Sequence, residues 1–146
     1  MDAIDLLKSD HRKVENLFNL TRQAQTVDEK RAIFRKVKAE LEAHARVEET
    51  IFYPAFSQYE SFDDILDESY QEHQDIQDML VEMEDMQDDE EFQDMIEDLR
   101  EEVEHHVHEE ETVFFPKVRD VMDQQELDRL ARMIQDAREG TARRAA

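Results

Sequence analysis

The chain contains no cysteine. That removes disulfides, thiolate-bound zinc and iron–sulfur clusters from consideration. Glycine occurs once, at Gly140, and proline twice, at Pro54 and Pro116, so few points interrupt regular structure. Tryptophan is absent, and basic residues are scarce: 18 Lys and Arg face 40 Asp and Glu, for a formal net charge of −22. Such a surface is a poor partner for nucleic acid, because phosphate binding needs clustered cations. No apolar run approaches the ~20 residues of a membrane span, and the N-terminus lacks a basic-then-apolar leader. The expectation is a cytoplasmic protein with no nucleic-acid or membrane partner. Glycine-rich phosphate loops, a Ser/His/Asp set and a calcium loop with its central glycine are also missing.

What is present is helical. Only 39% of the 146 residues are apolar and 40% are charged, a composition that suits amphipathic helices better than a sheet. Four segments carry apolar or buried-type residues at alternating intervals of three and four. The first runs Ile4, Leu7, His11, Val14, Phe18, and the second Ile33, Val37, Leu41, His44, Glu48, Ile51. The third runs Leu66, Ser69, His73, Ile76, Leu80, Met83, and the fourth Met95, Leu99, Val103, His106, Glu110, Val113. Thr26 or Asp28 caps the second helix, and Asp88-Asp89 begins the fourth. Pro54 and Pro116 are expected to close the second and fourth. A shorter fifth helix is expected from about Gln124 to Ala137. The fold class is therefore all-α: an up-down-up-down four-helix bundle with a short C-terminal helix. Residues 1–139 form the domain, and 140–146 are expected to be a frayed tail.

The most informative feature is a repeat. His11, His44, Glu48 and Pro54 recur 62 residues later as His73, His106, Glu110 and Pro116. Ile33, Val37, Leu41 and Phe52 recur as Met95, Leu99, Val103 and Phe114. The two halves are expected to be duplicated helical hairpins packed face to face.

All six His and Glu residues of the repeat fall on the core-facing stripes. Buried carboxylates and imidazoles cost several kcal/mol each unless compensated, against a total folding margin of only ~5–15 kcal/mol. A metal centre supplies the compensation. Residues i and i+4 share a helical face, so His44 with Glu48, and His106 with Glu110, can reach one centre. Imidazole and carboxylate without thiolate suit iron, manganese or zinc. Six side chains exceed one structural zinc and match two metals. Two His per metal, both Glu bridging and one oxygen bridge would leave an open position for O₂, peroxide or nitric oxide. His105 and Glu109 also fit His-x-x-x-Glu, but Thr112, Phe114 and Pro116 align with Thr50, Phe52 and Pro54 only if His106 is the ligand. His105 and His108 are read as exposed or as neighbours of the ligands. Glu49 and Glu111 are read as solvent-facing or as holding an adjacent imidazole, and Tyr53 and Phe115 as packing at the bundle end.

These marks, His11, HARVE (His44 to Glu48), His73 and HVHEE (His106 to Glu110), resemble the hemerythrin-like family in its His-His-Glu cation-binding branch. The resemblance spans about Met1 to Lys117 and continues into a family-like fifth helix. It implies a non-heme di-iron centre in a four-helix bundle, acting in oxygen binding or sensing, iron handling, or the response to peroxide or nitric oxide. Oxygen carriers of the family use a fifth His one turn after the third-helix ligand, and an Asp as one bridge. Gln77 stands at that turn here, and both bridges would be Glu, which implies a more even centre with both irons open. The function expected is binding or reduction of O₂, hydrogen peroxide or nitric oxide; peroxidase- or catalase-like turnover is one form and nitric oxide reduction another. The alternative is an iron or oxygen storage or sensing module without turnover. An electron-donor protein is a possible partner, and the chain is read as a monomer or weak dimer.

Overall fold

A computed structural model describes residues 1–145, and for 142–145 the backbone alone. Helix α1 (Ala3–Gln23) begins at Asp2, whose carboxylate accepts from the Asp5 N–H while the Asp5 side chain accepts from the Asp2 N–H. This reciprocal pair satisfies two backbone donors that the helix itself cannot. Helix α2 (Val27–Val47) is capped by Thr26, α3 spans Asp63–Glu84, and α4 (Asp89–Glu109) is capped by Asp88. Helix α5 covers Phe115–Val121 and α6 Gln124–Ala145. No strand occurs among the described residues. Helix α1 packs on α2 and α3 on α4, which gives the expected all-α bundle, and α6 lies across α1.

Three local expectations need correction. Neither proline ends a helical path. After α2 the chain widens into a π turn over Glu48–Phe52 and then a 3₁₀ turn over Tyr53–Phe56. After α4 the same π turn covers Glu110–Phe114, and the helix resumes through Pro116 as α5. A proline lacks the N–H of the normal ladder and its ring presses on the carbonyl four residues back. Shifting the ladder by one residue, so that Tyr53 donates to the Glu48 carbonyl and Phe115 to that of Glu110, relieves this conflict. Thr50 and Thr112 assist, donating through Oγ1 to the carbonyls of Arg46 and His108.

The extra residue also rotates the helical face beyond it. Val113, expected on the core stripe, is exposed, whereas Phe52 and Tyr53, and likewise Phe114 and Phe115, are buried as adjacent pairs. Farther up the bundle Phe34 and Ile96 are buried, one residue past the expected Ile33 and Met95, which are only partly buried. Third, α6 is not short: it continues through Gly140 to Ala145 as a 22-residue helix. The expected frayed tail is thus helical as far as Ala145, and Ala146 lies outside the described residues.

The core divides into two apolar blocks. One contains Ile4, Leu7, Phe52, Phe56, Phe62, Phe114, Phe115 and the α6 residues Leu127, Leu130 and Ile134. The other contains Val14, Phe18, Phe34, Val37, Ile76, Leu80, Phe92 and Leu99. The repeated His and Glu residues lie on the same helices at the positions between these blocks. Among the described residues no helix is long and apolar enough to cross a membrane.

Candidate metal centre

Each core helix delivers its polar residues to one level of the bundle. His11, His44, Glu48, His73, His106 and Glu110 are all buried. His11, His44, Glu48 and Glu110 can each offer a donor atom with all four atoms within 4.8 Å of one another; Glu48, His73 and His106 do the same. Glu48 Oε1 lies 3.0 Å from His44 Nε2 and 3.1 Å from His73 Nε2. Glu110 spans the same gap, with Oε1 3.0 Å from His11 Nε2 and Oε2 3.4 Å from His106 Nε2. Both carboxylates therefore stand between a His11/His44 pair and a His73/His106 pair.

Around this set lies an outer ring of carboxylates. His11 Nδ1 meets Glu111 at 2.6 Å, His44 Nδ1 meets Asp10 at 2.8 Å, His73 Nδ1 meets Glu49 at 2.9 Å, and His106 Nδ1 meets Glu72 at 2.7 Å. A carboxylate can only accept, so each ring donates from Nδ1 and its Nε2 is the nitrogen that faces inward, toward Glu48 and Glu110. Metal-ligating imidazoles are held in this way. Asp10 and Glu72 are themselves 62 residues apart, as are Glu49 and Glu111. Sequence reasoning passed over Asp10 and Glu72, although an acidic residue directly before the first His of both halves was a readable signal.

Tyr53 also belongs to the centre, beyond the packing role expected of it. Its hydroxyl donates to Glu110 Oε2 at 2.8 Å and to Glu48 Oε1 at 3.1 Å, and lies 3.3 Å from His73 Nε2. The π turn makes this reach possible, because it turns both Phe52 and Tyr53 inward. The counterpart of Tyr53 in the second half, Phe115, stacks on His11 with ring centroids 6.0 Å apart. His105 is exposed, 3.4 Å from Glu72 and 3.2 Å from Glu109, and His108 is exposed on the same helix.

The electrostatics are those of a site built around positive charge. Burial presses the Glu48 carboxyl toward neutrality, but the His44 charge and the surrounding imidazoles hold its pKa well below the usual range. Burial likewise opposes charge on His44, yet the Glu48 carboxylate and the Asp10 hydrogen bond keep its pKa well above the usual imidazole value. Burial, then Glu48 and Glu110, push the Tyr53 phenol well upward, so it remains a donor. Among the described residues, the buried atoms His44 Nε2 and Glu48 Oε2 have no hydrogen-bond partner. His73 Nε2 and His106 Nε2 face each other at 3.2 Å. Orphaned polar atoms and ring nitrogens that converge are costly in a dry interior, and a cation among them removes the cost. The donor set therefore fits a metal.

A cavity of about 40 Å³ adjoins the centre. All four imidazoles reach it, and Val14, Leu41, Ile76, Leu80 and Val103 supply its apolar wall. Phe18, farther along the α1 stripe, lines a neighbouring cleft between α1 and α4. Gln77, at the turn where carriers place a fifth His, lines the cavity and hydrogen-bonds Glu42.

The family model described as the hemerythrin HHE cation binding domain matches residues 2–118. The chain belongs to this family. Its cation-binding character and its buried His and Glu clusters agree with one another. Among curated relatives, a protein named DNA nickase from Nostoc sp. (strain PCC 7120) is 26% identical over 132 residues. That match covers 90% of this chain, which spans 37% of the relative's length. No solved structure matches.

Proposed function

We propose that this HHE domain holds two iron ions and uses them to bind or reduce O₂, hydrogen peroxide or nitric oxide. His11 and His44 would hold one ion and His73 and His106 the other, with Glu48 and Glu110 shared between them. The observation that carries the reading is the small cavity beside all four imidazoles. At about 40 Å³ it has room for a diatomic molecule or a peroxide, since one water needs ~10–15 Å³ measured the same way. Bound iron would supply an open coordination position and, as a pair, two electrons.

The chain's own residues do the rest. The four outer carboxylates fix each imidazole's tautomer and direction. Tyr53 holds a proton on its hydroxyl within 2.8 Å of Glu110 Oε2 and 3.1 Å of Glu48 Oε1, at the edge of the centre. Val14, Ile76, Leu80 and Val103 limit water beside it. The experiment is to load the protein anaerobically with Fe(II) and follow its optical spectrum as O₂, peroxide or nitric oxide is admitted. A ligand-dependent spectrum supports the reading; iron-loaded protein indifferent to all three contradicts it.

A second reading, storage or sensing without turnover, is favoured by one feature. The cleft between α2 and α3, lined by Glu42 and Glu49, shares Ala45, His73 and Gln77 with the cavity and offers cations a carboxylate-lined approach. Spectral change that reverses under argon, without product, would select it. DNA nicking, the activity in the relative's name, has weak support: the net charge of −22 repels phosphate, and most of that relative's length has no counterpart here.

A further inference from the structure

The inner six residues obey the two-fold repeat, but the charges behind them do not. On the His11/His44 side, both outer carboxylates carry an arginine. Arg12 Nη2 donates to Glu111 Oε1 at 2.5 Å, and Arg138 Nη2 donates to Asp10 Oδ2 at 2.5 Å. Asp10 Oδ2 is the same atom that accepts from His44 Nδ1. On the His73/His106 side, neither Glu49 nor Glu72 is paired with a lysine or arginine among the described residues. The repeat counterpart of Arg12 is Gln74, an uncharged residue that bonds Asp78 on its own helix. Arg138 has no counterpart, because α6 packs on the first half of the bundle. Its position follows from the α6 stripe: Leu127, Leu130, Ala131 and Ile134 are buried, and Arg138 comes one turn later on the same face.

A carboxylate that accepts from imidazole Nδ1–H strengthens the Nε2 donor on the far side of the ring. A guanidinium on that carboxylate draws its charge away and weakens the effect, and it adds a fixed positive charge that repels a bound cation. Tyr53 stands nearer the His73/His106 pair, 2.8 Å from Glu110 Oε2 and 3.3 Å from His73 Nε2, but its hydroxyl is neutral and does not offset the two arginine charges behind the other pair. We infer that Arg12 and Arg138 make the two metal positions unequal, so that a divalent cation binds the His73/His106 position more tightly than the His11/His44 position. The inference rests on the proposed two-metal centre. Both arginines act through a carboxylate and an imidazole, as tuning residues that never touch the ion.

The test uses Co(II) alone as probe, titrated into metal-free protein and read by its visible absorption. His44→Ala leaves the His73/His106 position intact, and His106→Ala leaves the other. The first variant is expected to bind Co(II) about tenfold more tightly than the second, at the lower end of the 10–100-fold span typical of groups behind metal ligands. Adding R12Q and R138Q to the His106→Ala variant is expected to recover most of that factor, while R12K and R138K, which keep the charge, are not. A merely structural role for the arginines gives the opposite sign, because losing them would loosen Asp10 and Glu111 and weaken binding. Should a histidine variant not fold, R12Q and R138Q in the otherwise unaltered chain carry the test, and the weaker of two Co(II) steps should tighten. Equal affinities in the two histidine variants, or weaker binding on R12Q and R138Q, overturn the inference alone. No Co(II) bound by the unaltered chain overturns the metal-centre reading and the inference with it.

Discussion

At the residue scale the centre consists of two rings of side chains, and they differ in how readable they were. The inner ring stood out because His and Glu recur 62 residues apart on otherwise apolar stripes, where a charged residue has no inexpensive explanation. The outer ring obeys the same shift, yet in a chain with 40 acidic residues one more Asp or Glu carries little weight on its own. For Glu49 and Glu111, read as solvent-facing or as holding an imidazole, the fold decides for the second by putting Glu111 of one half against His11 of the other and Glu49 against His73. If these carboxylates orient the imidazoles, Glu72→Gln should weaken metal binding by about 10–100-fold with the helical circular dichroism retained. His105→Ala, only one residue from His106, should leave metal content nearly unchanged. Metal analysis of the purified variants checks both, and a halved content in His105→Ala would contradict the ligand register.

At the scale of the element, propensity and capping carried most of the information. Thr26 and Asp88 cap α2 and α4 as their residue types dictate. The π turns were not legible, because proline reads as a stop, whereas tertiary packing of Phe52 with Phe114 rewards a path that widens and continues. The length of α6 was obscured by Gly140, which lowers helix propensity without forbidding a helix. Element stability also sets an expectation for pH. Burial raises the pKa of Asp2, but the Asp5 N–H, Gln124 and Arg119 outweigh it and hold the pKa below the ordinary value. Its stabilising contribution is therefore complete above the unfolded pKa of about 3.9 and is lost as pH falls through the folded one. Asp2→Asn, which can still cap α1, should flatten the acid limb of a stability-against-pH curve measured by urea unfolding. Asp2→Ala should in addition cost about 1 kcal/mol at neutral pH. An acid limb unchanged by Asp2→Asn would contradict this assignment.

At the scale of the whole molecule, two apolar blocks clamp a polar layer inside a shell of strong negative charge. The bundle was legible from the stripes and the repeat; the lateral asymmetry was not, since α6 covers one half through Leu127, Leu130 and Ile134. A net charge of −22 means self-repulsion across the surface, which salt screens within about 10 Å at 0.1 M. The melting temperature of the metal-free protein should accordingly rise between 0.01 and about 0.15 M sodium chloride; a fall would show that attractive pairs dominate. Metal should stabilise the fold further, by ~2.7 kcal/mol at a free concentration 100 times the dissociation constant. The central claim is that six buried side chains hold a pair of ions, and native mass spectrometry of Fe(II)-loaded protein tests it most directly. The account predicts two irons per chain, with loss of the pair in Glu48→Ala; a chain that takes up none, or one that Glu48→Ala leaves undisturbed, would contradict it.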